Sequence, residues 1–208
     1  MTIFFRYWSH LTRRMGRDSR GMVAIEAALV IPLAVFFIIA SWELYQYFRT
    51  ASVVDRTAFM VANSLAMQRD LKDGDSQCTL ANAVCTYNAI AADLMTPLDY
   101  KSRGGMVISL YEVETDEDGN NPVWKSSPQW QKIYRGGDNS RDLSSRLTPP
   151  EGFPDPATND TVIAVEVVYH YSPFVMGAAF WQALGGEKQV SSRVFYRPRF
   201  SALRTLSE

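Results

Sequence analysis

The sequence predicts an α+β protein. A long N-terminal helix, membrane-spanning in its first half and amphipathic in its second, is expected to pack on an antiparallel sheet domain. Three observations predict it. An almost charge-free apolar run, 21–42, follows an arginine-rich leader. The apolar residues beyond that run recur at helical spacing. Further on, short segments dense in β-branched and aromatic residues alternate with turns rich in Gly, Pro, Asp and Asn.

The bulk composition is that of a folded chain. At 208 residues, 47% hydrophobic and 21% charged, wholesale disorder, collagen and a disulfide-dense miniprotein are excluded. A mean hydropathy of −0.14 argues against a polytopic membrane protein. The formal net charge of −1 carries no signature of a nucleic-acid partner. That average hides an asymmetry. Residues 1–20 hold Arg6, Arg13, Arg14, Arg17 and Arg20 against a single acid, Asp18, which leaves the remainder acidic.

In 21–42 the sole charge is Glu26. About 20 helical residues cross the ~30 Å hydrocarbon core of a bilayer. A transmembrane helix is therefore expected over 22–44, with Trp42, Tyr45 and Tyr47 at its aromatic belt. The arginines flank its start, so the positive-inside rule holds 1–21 in the cytoplasm and sends 45–208 across. A cleaved secretory signal would need small residues after a short apolar region. Ser41-Trp42-Glu43-Leu44-Tyr45 is a poor site of that kind. Pro32 lies mid-span; it lacks an N–H and its ring meets the preceding turn, which predicts a kink or local unwinding.

Beyond the span, Leu44, Tyr47, Ala51, Val54, Ala58, Val61 and Leu65 lie three or four apart on one helical face. No Gly or Pro interrupts 33–68. One helix is expected over 22–68, about 70 Å long. Its outer stripe is expected to enter the core of its own domain rather than a partner coiled coil.

The remaining elements follow in order. Residues 70–77 read as a loop, and a helix is expected over 80–95, ending before Pro97. Strands are expected over 106–114, 162–171 and 190–196, with weaker ones at 123–124 and 131–134. Residues 136–156 read as a long surface loop, and 174–184, with Met176, Phe180 and Trp181, as an apolar connector in the core. Asp116, Asp118 and Asn120 have the spacing that opens a calcium loop. Asn121 stands where that loop needs Gly, and Ser127 where it needs Glu, so a hairpin turn is the better reading.

Cys78 and Cys85 are the sole cysteines. Outside the cytoplasm a close, even pair reads as a disulfide, with two free thiols as the alternative. Seven residues apart in one helix, their Cα atoms would be about 10.5 Å apart, beyond the ~7 Å reach of a bridge. If bonded, at least Cys78 must lie in a loop. A metal site would need further ligands, and His170 is the sole histidine past the leader. No G-x-S-x-G, Walker A, H-E-x-x-H or G-x-G-x-x-G pattern occurs. No enzyme, metal or cofactor is expected, and His170 reads as an ordinary strand residue.

The junction Arg17-Asp18-Ser19-Arg20-Gly21-Met22-Val23-Ala24-Ile25-Glu26 sets a basic leader, a glycine, an apolar helix and a lone glutamate in that order. It resembles the class III signal of type IV pilins. The resemblance implies cleavage by a prepilin peptidase between Gly21 and Met22, with Glu26 as the fifth residue of the mature chain. It further implies that Glu26 pairs with the freed N-terminal amine of an adjacent subunit. The residue chemistry agrees. Gly permits an extended, protease-accessible backbone, Arg13, Arg14, Arg17 and Arg20 hold the leader inside, and a carboxylate near lipid is a functional candidate by default.

Residues 20–33, with Pro32, are similar to the R-G-x-x-A-x-E-x-A-L-x-x-P signature of TadE/TadF-like minor pseudopilins of the tight-adherence (Tad/Flp) pilus system. Tyr169-His170-Tyr171-Ser172-Pro173 is similar to a late strand of that family ending in Y-x-Y-x-P. The resemblance implies a single-pass inner-membrane protein with a periplasmic domain. Its role would lie in pilus initiation, assembly or adhesion. The implied partners are the prepilin peptidase, the major Flp-type pilin, other minor pseudopilins, the inner-membrane assembly platform and the bilayer. An uncleaved, membrane-anchored envelope scaffold or sensor is the alternative.

Overall fold

The computed structural model describes residues 19–74, 78, 82–115, 118, 121–135, 143, 145–172, 188–200 and 203–207, with the backbone alone at 19–22 and 188. Arg13, Arg14, Arg17, His10, Asp116, Asn120 and the expected connector 174–184 lie outside the described residues.

The first element is a 48-residue helix, α1, Ser19–Ala66. Helical backbone continues through Pro32, so the local unwinding expected there is not observed. In the first half of α1 the large apolar side chains are exposed, among them Leu29, Ile31, Phe37 and Ile38. In the second half one stripe is buried: Thr50, Val54, Thr57, Ala58, Val61, Leu65. The two threonines satisfy their hydroxyls within the helix, donating to the Gln46 and Val53 carbonyls at 2.9 and 2.8 Å. The expected stripe is off by one residue at its start. Leu44 is exposed and Glu43 takes the inward position, because the face that continues through Tyr47 passes four residues before it. The Arg199 backbone N–H donates to the Ala66 carbonyl at 2.9 Å and closes one open acceptor at the helix end.

The next segment differs from the expected helix over 80–95. Helix α2 is shorter, Thr86–Leu94. Residues 82–84 pair with Lys72 instead, around a left-handed Asn82 at φ +66°: Lys72 N–H donates to the Asn82 carbonyl at 3.1 Å, and Val84 N–H to the Lys72 carbonyl at 3.0 Å. Cys78 and Cys85 form a disulfide with Cα atoms 5.7 Å apart. Cys78 lies in the loop, at φ +54°, and Cys85 just before α2. A one-turn helix not read from the sequence follows, α3, Tyr100–Arg103, capped by the Asp99 carboxylate on Ser102 N–H. A Cβ on Gly104 would lie 2.2 Å from the Tyr100 ring, so the bare glycine admits that ring against the next strand.

Five antiparallel strands form the sheet: β1 Gly104–Glu114, β2 Val123–Trp124, β3 Trp130–Arg135, β4 Thr161–Tyr171 and β5 Lys188–Tyr196. β4 lies between β1 and β5. β2 and β3 lie end to end along the other edge of β1. Between the pairs of Val113 with Trp124 and Leu110 with Trp130, Tyr111 and Glu112 face the five residues 125–129. The extra residues, Pro128 among them, form a bulge that breaks this edge strand in two.

Strand alternation makes two cores. Met106, Ile108 and Leu110 of β1, with Ile163, Val165, Val167 and Tyr169 of β4, meet the α1 stripe, α2 and Leu203. On the reverse face Tyr111, Val162, Ala164 and Trp124 pack with Leu147, Phe153 and Phe195. The expected surface loop over 136–156 is irregular and without a buried residue where it is described, at 143 and 145–156, and it lays Leu147 and Phe153 on the second face. Phe153 meets Tyr111 and Phe195 at ring distances of 4.9 and 4.7 Å, and Trp124 Nε1–H donates to the Pro154 carbonyl at 2.7 Å.

Candidate functional site

Of the residues singled out by sequence, Arg20, Gly21, Met22 and Glu26 fall at one end of α1. Gly21 and Met22 lie within its first turn, and Arg20 precedes them in helical backbone. The expected extended conformation at Gly21 is therefore not observed, since the helix already begins at Ser19. Glu26 is exposed one turn further, beside exposed Val23, Ile25, Leu29 and Val30. It makes no ion pair among the described residues. Val23–Ala66 is long and apolar enough to cross a membrane, and none of its most apolar window is buried by the rest of the chain. A carboxylate is thus presented at the start of a rod whose apolar surface has no partner among the described residues.

Where α1 enters the domain the structure assembles a second constellation. Glu43 is 2% exposed, and the Tyr171 hydroxyl donates to its Oε1 at 2.7 Å. The Tyr47 ring packs edge-to-face on Tyr171 at 5.6 Å. This contact ties the last residue of β4 to the foot of the domain helix. Of the Tyr169-His170-Tyr171 segment, both tyrosines face α1, while His170 is half-buried on the other face opposite Gln189. Sequence reasoning passed over Glu43. The signal was there: it is the first charge after the apolar run 21–42, four residues before a stripe aromatic.

On the reverse face Glu166 is buried and accepts from Arg193 Nε at 3.2 Å and from the Ser145 hydroxyl. Ser145 also accepts from the Leu147 N–H at 3.2 Å. This set anchors the covering segment to β4 and β5. Among the described residues no three His, Cys, Asp or Glu side chains converge as a metal site would require.

Burial raises several phenols above their ordinary value. Tyr100 and Tyr171 are raised by desolvation, Tyr171 further by the Glu43 carboxylate, and Tyr134 is pushed up to about 12 by burial and then by Asp73. A group raised in the folded state keeps its proton longer there than in the unfolded chain. Its stabilising effect is whole below the ordinary pKa and is lost as pH rises through the folded value. Thermal stability is expected to hold from neutrality to about pH 9.5 and to fall from about pH 10 upward. Melting followed by circular dichroism across that range checks it; an unchanged melt above about pH 11 contradicts the burial of these rings.

Comparison of the chain with family models, with curated proteins and with solved structures finds no match.

Proposed function

We propose that the chain is a minor pseudopilin, an assembly factor of a Tad-type (Flp) pilus or secretion apparatus. In this reading a prepilin peptidase removes 1–21, α1 remains in the inner membrane with the domain in the periplasm, and Glu26 seats the helix among pilin subunits. The domain then acts in pilus initiation, assembly or adhesion, alongside the major pilin, other minor pseudopilins and the assembly platform. Its work is mechanical rather than catalytic.

One observation carries the reading. The sole charge in the apolar run 21–42, which is exposed where its side chains are described, is a glutamate five residues past a glycine, and the same helix continues without a break into a folded domain. A carboxylate at that depth is costly unless paired, and a freed amine at Met22 of a neighbour supplies the pair. The helical backbone at Gly21 favours the other reading, a plain uncleaved anchor, because proteases act on extended chain. The obstacle is small. First turns fray, and Gly lowers helix stability by about 1 kcal/mol relative to Ala.

The test is the mass of the N-terminal peptide of the chain purified from cells that make the pilus machinery. A first residue of Met22 is expected. An intact leader reduces the protein to a membrane-tethered scaffold or sensor.

A further inference from the structure

We propose that a groove at the foot of the domain binds an anionic phospholipid of the leaflet from which α1 emerges. The inference rests on the proposed function only in taking α1 as membrane-spanning. Twenty residues counted from Val23 cover the ~30 Å hydrocarbon core and place Trp42 at its outer boundary. The domain begins at the next residue, since Glu43 is already buried. The groove opens at that level. One wall is a single row of α1, Trp42, Gln46 and Thr50, four residues apart and spanning about 12 Å along the axis. The facing wall is Leu98, Arg103, Tyr169 and Tyr171. The open groove has a volume of about 390 Å³, within the usual size of small-ligand clefts.

The chemistry of these walls selects the occupant. The lining is largely apolar, and its one ionised side chain is the cation Arg103. Arg103 is the last residue of α3, whose Tyr100 ring packs against Gly104 at the start of β1. Neither nearby carboxylate lines the groove. Glu43 is engaged by Tyr171, and Asp99 by the Ser102 N–H and hydroxyl. With α1 spanning the bilayer, a slot that starts at its surface and sets indole and tyrosine rings beside one guanidinium matches a phosphodiester with its lipid tail. A soluble phosphate would leave the apolar wall unused.

The experiment uses the full chain in mild detergent with equal amounts of phosphatidylglycerol and phosphatidylcholine of the same acyl chains, and counts retained lipids by native mass spectrometry. Retention of phosphatidylglycerol is expected to exceed that of phosphatidylcholine by about fivefold or more, as one positioned cation–phosphate contact supplies. Arg103→Gln is expected to abolish the preference. Lys101→Gln, which changes an exposed cation on the same turn outside the groove, is expected to keep it. Equal retention of the two lipids, or equal loss in both variants, overturns the proposal. So does displacement by free glycerol phosphate, which would make the ligand a soluble anion. Flotation of the chain with vesicles separates the premises. A chain that does not float removes the membrane reading, and one that floats without lipid preference removes the groove alone.

Discussion

Replacing Glu26 with Gln is expected to leave the chain folded and in the membrane while reducing pilus assembly at least about tenfold, the effect of losing ~1.4 kcal/mol of docking energy. The domain starts more than ten residues beyond Glu26, and the Glu26 side chain is exposed, so its exchange removes no contact of the fold. What it removes is the one charge on the apolar rod. Next to hydrocarbon the attraction between a carboxylate and an amine is far stronger than in water, because the dielectric that screens it is low. An amide keeps the shape and loses that term. Piliation counts and membrane fractionation of cells carrying the variant check the result. Normal piliation removes Glu26 from the mechanism.

The second large effect tests whether the outer half of α1 belongs to its own domain. Leu65→Ala is expected to destabilise the protein by about 3 kcal/mol, with a cavity left between α1 and the sheet. Tm should fall by roughly 6–12 °C in a chain of this size. Leu65 is 0% exposed within a single copy of the chain. Leu44→Ala, at an exposed residue of the same helix, is expected to change stability by no more than about 0.5 kcal/mol. Thermal melts of the full chain in detergent compare them. A large effect at Leu44 with none at Leu65 would mean that the helix packs mainly on another molecule.

Much of the frame was legible because it rests on short-range pattern. The almost charge-free run up to Trp42 marks a helix by length and composition, and the stripe from Tyr47 to Leu65 marks one by period. The β-branched runs marked β1, β4 and β5 within two residues of their observed bounds. The loop position of Cys78 followed from backbone reach. The shortened α2 was not legible, since 82–84 is held out of the helix by pairing with Lys72, a residue ten positions from Asn82. The segment 145–156 was legible as surface from its polar and proline residues, but not as the cover of a second apolar face. Phe153 finds its partners on three different strands and segments, a coincidence no local window contains.

The same division holds at the candidate sites. Gly21, Met22 and Glu26 stand in one continuous stretch, so their order and spacing were readable directly, and so was the apolar length that makes α1 able to cross a membrane. The pairing of Glu43 with Tyr171 joins residues 128 positions apart, and the groove adds Leu98 and Arg103 from a third region. Local periodicity determined which segments became helix and strand. Only the folding of β4 back along α1 decided which polar groups were buried together, because burial depends on neighbours distant in the chain.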